Sequence, residues 1–282
     1  MFRLPALLLA CLPAFICFLV SNQPDFFTVP KNWHKQVSQE LHGKSLVLTI
    51  ICCAMVIPIT LFGIISGSTS VLVFLSLSSA IAALWGLFRL AGPRALIVGI
   101  LLIIVAWLSK TDLALWASNI LSIAAGLGAA HFLNSIFSRK ALKMFCLTFA
   151  GLDIVLVGSG LLSQAINQLP LNGSFIPVAP HLDAFNRIIA GGALLGTGDI
   201  AYGALVAALI ISAKPTRRQV AGTCFLYAGL GLGMAAFALH TGYAVPATLP
   251  GFLALVVLRF TIRRSTLHQE ILEPAILLTS DQ

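Results

Sequence analysis

The sequence predicts an all-α polytopic membrane protein with nine transmembrane helices, and three observations carry that expectation. Of its 282 residues, 59% are hydrophobic and only 9% charged, with a mean hydropathy of +0.99, against about 25% charged residues in a soluble domain. Apolar runs of membrane-crossing length recur along the chain, and the basic residues between them divide unequally between alternate loops. A net charge of +8 would point to nucleic acid in a soluble protein. Here the Lys and Arg residues sit in short connections and report orientation in a bilayer. The lipid bilayer is the expected partner, and nucleic acid is not.

A hydrocarbon core of about 30 Å takes roughly 17 to 25 residues of helix. Span 1 is expected at 4–20. It follows Arg3, and the "LLAC" at Leu8 to Cys11 loosely resembles a lipoprotein cleavage site, but so short a lead favours a retained helix. The next four spans are expected at 45–66, 69–89, 93–109 and 113–134, and the last four at 142–163, 187–213, 219–240 and 244–260. With nine spans the termini lie on opposite sides. Fourteen of the 17 Lys and Arg residues then share one side: Lys31, Lys35 and Lys44, Arg89 and Arg94, Arg139, Lys140 and Lys143, Lys214, Arg217 and Arg218, and Arg259, Arg263 and Arg264. Only Arg3, Lys110 and Arg187 fall on the other. The positive-inside rule puts the N-terminus outside and the C-terminus in the cytoplasm.

The six cysteines, Cys11, Cys17, Cys52, Cys53, Cys146 and Cys224, lie within the expected spans without C-x-x-C or Cys/His ligand spacing, and read as small apolar packing residues. His131 and His240 have no second ligand at a metal-binding spacing and are expected to make structural hydrogen bonds. No phosphate-binding loop, H-E-x-x-H pair or G-x-S-x-G elbow is present. Neither a metal nor a cofactor is expected.

Long basic side chains near span ends reach the interface and need no functional account. Setting them aside, the span interiors hold two charged residues, Asp153 in "FAGLDIVLVG" and Asp199 in "LLGTGDIAYG". An ionised Asp at the bilayer centre costs roughly 2.5 to 3.5 kcal/mol, so a chain that keeps two is expected to use them. Their spans are consecutive and antiparallel. Counted at 1.5 Å per residue from Ser163 and Arg187, the two lie about 15 and about 18 Å deep from the same side, and so can face each other. Two carboxyls held together at low dielectric do not both ionise easily, and such a pair supplies an acid and a base at once. One takes a proton from a bound water while the other donates to a peptide carbonyl, as in aspartic proteases. A proton-coupled carrier could use the same pair as a relay.

Gly196 and Gly198 remove side chains beside Asp199 and let a second backbone approach. They could also serve helix packing, the role expected of Gly229, Gly231 and Gly233. In "YAVPATLPGFL", Pro246 and Pro250 bracket Ala247, Thr248 and Leu249. Two prolines this close predict unwound backbone, tolerated at membrane depth where it lines a cavity.

An Asp in span 6, Gly196-Thr197-Gly198-Asp199 in span 7 and Pro246-Ala247-Thr248 opening span 9 together resemble the presenilin and signal peptide peptidase family of intramembrane aspartyl proteases. That family usually has Tyr before the first Asp, Gly-Leu-Gly-Asp in span 7 and Pro-Ala-Leu in span 9; here Leu152, Thr197 and Thr248 stand at the differing positions. The resemblance covers spans 6 to 9 by motif and spans 1 to 5 by count. It implies that Asp153 and Asp199 are catalytic, that Gly196 to Gly198 and Pro246 to Thr248 shape the substrate site, and that the fold is presenilin-like. It also implies a scaffold over 1–141, a catalytic membrane region over 142–260 and a cytoplasmic tail over 261–282. The charge division matches the signal peptide peptidase orientation, which implies type II transmembrane segments or remnant signal peptides as substrates. Prepilin peptidases also use a G-x-G-D aspartate, typically with a Lys soon after it, where this chain has Ile200, Ala201 and Tyr202.

Overall fold

The computed structural model of the protein describes residues 4–28, 68–108, 112–161, 187–190, 193–213, 215–241 and 245–262. Among them are eight α-helices: α1 (Leu4–Ser21), α2 (Thr69–Ala91), α3 (Arg94–Leu108), α4 (Asp112–Ile136), α5 (Arg139–Gly158), α6 (Thr197–Ser212), α7 (Arg217–Thr241) and α8 (Leu249–Ile262). Each occupies one of the ranges expected for a span. The range 45–66, with Cys52 and Cys53, lies outside the described residues, as do 164–186 and the tail from Arg263 onward. Within α4, α5 and α7, the stretches Leu113–Ile136, Arg139–Gly158 and Arg217–Thr241 are long and apolar enough to cross a membrane. Large apolar side chains point outward along several helices, among them Phe74, Ile81, Ile97 and Phe225. So much exposed apolar surface suits lipid rather than water.

One expected span is not a continuous helix. Residues 187–196 form a hairpin in which β1 (Arg187–Ala190) pairs antiparallel with β2 (Ala193–Gly196), Ala190 facing Ala193 and Arg187 facing Gly196. The β-branched pair Ile188 and Ile189 suits a strand better than a helix. α6 therefore starts only at Thr197, and Asp199 stands in its first turn.

The core is organised around α6. All residues from Ile200 to Ile210 are buried, the pattern of a helix that is apolar all round because it is enclosed. α1, α4 and α5 pack against it. Small residues set the closest crossings: a Cβ on Gly203 would lie 2.5 Å from the Pro13 carbonyl oxygen of α1, and one on Gly126 of α4 would lie 2.7 Å from Ile200 Cβ. A second seam joins α2 to α4. There Ala82 and Gly86 meet Ala124 and Gly128, two small-xxx-small pairs that bring the backbones together. α7 lies along α1, with Gly231 against the Ala10 carbonyl, and α8 lies on α7, with Gly251 against the Tyr227 ring. Among the described residues nothing lies within 4 Å of a Cβ added at Gly229 or Gly233, whereas Gly231 packs as expected.

The segment after α1 is tied down by charge and aromatics. Arg89 Nη2 donates to the Thr28 carbonyl at 2.7 Å and to that of Phe26 at 3.4 Å. His131 is buried, accepts from Trp85 Nε1 at 3.1 Å and meets the Phe26 ring edge-on. This is the structural role expected of that histidine.

Candidate active site

Asp199 owes its position to the junction between hairpin and helix. Gly196, the last residue of β2, is also the N-cap of α6, with extended backbone (φ −73°, ψ 151°). The first turn of any helix has backbone N–H groups without intrahelical partners. The Asp199 carboxylate reaches back to one of them, with the Gly196 N–H donating to Oδ2 at 3.0 Å. This is half of a capping box, the half a glycine at the N-cap can join. A carboxylate there is also favoured by the helix dipole. An acid that looks misplaced within an apolar run thus sits at the one part of a helix where backbone donors are available to it.

Asp153 is held from a different direction. It lies on α5, five residues before the helix ends at Gly158. The Thr248 backbone N–H donates to its Oδ2 at 3.0 Å, and the Thr248 hydroxyl donates to the same oxygen at 2.7 Å. Thr248 is 1% exposed and immediately precedes α8, with the Phe252 N–H donating to its carbonyl at 3.2 Å. It is therefore the N-cap of α8. Residues 245–248 are not helical and Pro250 falls in the first turn of α8, where proline is tolerated. Of the stretch expected to unwind, Ala247 and Thr248 are non-helical whereas Leu249 already belongs to α8, and the Thr248 N–H is turned onto an aspartate.

The two carboxyls lie within Coulombic reach of each other. Their placement on the helices is not the one the sequence foretold. The depth of about 18 Å for Asp199 assumed helix from Arg187 onward, whereas the hairpin occupies that distance. Asp153 lies only about 7.5 Å of helix rise from the end of α5. Both acids stand near helix ends rather than mid-helix, and the backbone donor to each comes from a helix N-terminus, that of α6 for Asp199 and that of α8 for Asp153.

The glycines divide by function. A Cβ on Gly198 would sit 3.5 Å from Phe149 Cζ, an ordinary contact, and Gly198 is exposed. Packing therefore does not demand a glycine there, in contrast to Gly203. On Gly196 the added Cβ would lie 3.3 Å from Asp199 Oδ2 and would crowd the carboxyl directly. The Thr197 carbonyl faces Gly126 of α4, and Thr197 is half-buried. Pro246 and Ala247 are half-buried beside Thr248.

Sequence reasoning passed over the aromatic wall of the site. Phe149 is one turn before Asp153 on α5 and Tyr202 one turn after Asp199 on α6. Their rings stack at 6.0 Å, and the Tyr202 hydroxyl donates to the Cys146 carbonyl at 3.4 Å. The i, i+3 and i, i+4 spacing from each acid was the signal available.

Fold and site together define a helical protein with membrane-length helices and a pair of carboxyls brought together by three separate segments. No protein-family model matches the chain, and no curated protein or solved structure is similar to it.

Proposed function

We propose that this protein is a multi-pass intramembrane aspartyl protease of the presenilin and signal peptide peptidase type, with nine spans, an outside N-terminus and a cytoplasmic C-terminus. The observation that carries the reading is the convergence on one site of Asp153, Asp199 and the Pro246-Ala247-Thr248 segment, 95 residues from Asp153. A proton relay needs the carboxyls, but not a broken proline-bracketed segment beside them or an open glycine face at Gly198. Prepilin peptidases typically carry a Lys soon after the G-x-G-D aspartate, where this chain has Ile200, Ala201 and Tyr202.

In this mechanism both carboxyls are oriented through Oδ2, Asp153 by Thr248 and Asp199 by Gly196. A water held between them loses a proton to the ionised carboxyl as its oxygen attacks the peptide carbon. The protonated carboxyl gives its proton to the carbonyl oxygen. Collapse of the tetrahedral intermediate breaks the C–N bond, and a proton passes to the leaving nitrogen. No metal or cofactor enters. The substrate is a transmembrane peptide, a type II segment or a remnant signal peptide, and its scissile bond must be presented as extended chain. The hairpin before Asp199 offers strand backbone for such a segment to pair with, and Gly196 to Gly198 leave room for it.

The test is to incubate purified protein in detergent with a model signal peptide, with and without a transition-state-analogue inhibitor of aspartyl proteases. Cleavage within the apolar segment that the inhibitor abolishes is the expected result. Intact peptide, or cleavage indifferent to the inhibitor, contradicts the proposal.

A further inference from the structure

α1 and α7 are far apart in sequence and close in space, and their contact carries one feature that the carboxyl site does not use. Cys17 of α1 and Cys224 of α7 face each other with their sulfurs 3.9 Å apart, across 207 residues of chain. Both are buried, at 0% and 6% exposure. Among the described residues Cys11 is also a free thiol, half-buried on α1. Packing alone is served by any small apolar side chain at each position, and does not require sulfur opposite sulfur. A disulfide needs a separation of about 2.0 Å, a closure of about 1.9 Å, on the scale that rotation about Cα–Cβ moves a sulfur atom. The backbones are already fixed nearby, with Gly231 of α7 against the Ala10 carbonyl of α1.

The pair also stands behind the site. Tyr227 lies one turn beyond Cys224 on α7 and its ring packs on Gly251 of α8, three residues after the Thr248 that holds Asp153. A bond between α1 and α7 would fix the helix against which that segment rests.

We propose that Cys17 and Cys224 form a redox-active dithiol that closes to an intramolecular disulfide, tying α1 to α7 beneath the carboxyl site. The oxidant is a small disulfide or diazene able to enter the bilayer. With a small disulfide, one cysteine sulfur, as thiolate, attacks it and releases one thiol. The second cysteine attacks the resulting mixed disulfide and releases the other. Two protons and two electrons leave the cysteines, and the oxidant is reduced to two thiols. With a diazene, the same two hydrogens reduce N=N to the hydrazine. The proposal is independent of any peptidase activity.

The experiment counts thiols in the full-length protein in membranes. A variant in which Cys11, Cys52, Cys53 and Cys146 are replaced by Ala is treated with diamide, denatured and labelled with a polyethylene-glycol maleimide. The expected count is no adduct after diamide and two after subsequent reduction, with a monomer on the non-reducing gel. In the wild type, with six cysteines, diamide is expected to remove two reactive thiols, and peptide mapping to recover Cys17 linked to Cys224. C17S and C224S should each keep the remaining partner labelled, and the oxidised protein should melt several degrees above the reduced one. Two adducts after diamide, a linkage formed only between molecules, or a wild-type map joining other cysteines would overturn the proposal. The wild-type map decides the matter should the substituted variant fold poorly.

Discussion

At the scale of single residues, the site shows how an acid within an apolar helical protein is made tolerable by backbone. Neither aspartate is paired with a basic side chain among the described hydrogen bonds. Each instead accepts from a peptide N–H left over where helix has not yet begun: Gly196 for Asp199 and Thr248 for Asp153. Thr248 adds its hydroxyl at 2.7 Å, which gives a sharp prediction. Thr248→Val keeps the β-branch and the N–H but loses the hydroxyl. A hydrogen bond to a charged group contributes about 1.5–3 kcal/mol, so cleavage should slow roughly 10-fold to 100-fold, whereas Thr248→Ser should stay close to wild type. Steady-state rates on a model peptide check this, and equal rates for the Val and Ser variants would show that the hydroxyl does not position Asp153. The residue types at these positions were legible in the sequence. The contact between Asp153 and Thr248 was not, because nothing local links positions 95 apart.

At the scale of elements, apolar length and bounding charges located the helices well, since a run that must satisfy its own backbone in lipid has few alternatives. The failure was in the range 187–213. Its unbroken apolarity concealed a change of structure, although "RIIAGGALLG" carries the hairpin signal of two short runs around Gly-Gly. The consequence is large, because the hairpin delivers Asp199 to a helix N-terminus. α6 also separates two kinds of glycine that look alike in sequence. Gly203→Ala drives a Cβ into the Pro13 carbonyl and should destabilise the protein by about 1–3 kcal/mol, as overpacking does. Gly198→Ala meets only an ordinary contact with Phe149 and should melt close to wild type, yet cleave poorly because its methyl group occupies the substrate face. Thermal unfolding in detergent measured beside activity separates the two. A Gly198→Ala protein with full activity would remove the glycine from the substrate site.

At the scale of the whole molecule, the two clusters of buried residues meet at α4, which packs on α6 through Gly126 and on α2 through Ala124 and Gly128. The scaffold and the catalytic region expected as consecutive stretches are thus interleaved in space, since α1 from the first is packed on α6 and α7 from the second. The proposed orientation rests on the charge division between loops, and it predicts that residues 164–186 should be accessible from outside the cytoplasm. A cysteine introduced at Asn172 in a protein otherwise free of cysteine should react with a membrane-impermeant maleimide added on the non-cytoplasmic side. Labelling only from the cytoplasmic side would reverse the topology and with it the type II substrate class. The chemistry itself stands or falls on the two acids. Asp153→Asn and Asp199→Asn preserve shape and one acceptor oxygen, and remove the charge and the ability to exchange a proton. Purified and compared with wild type on one signal peptide, each variant should insert and melt like wild type and show no cleavage. Substantial cleavage by either one would contradict a mechanism that requires both carboxyls.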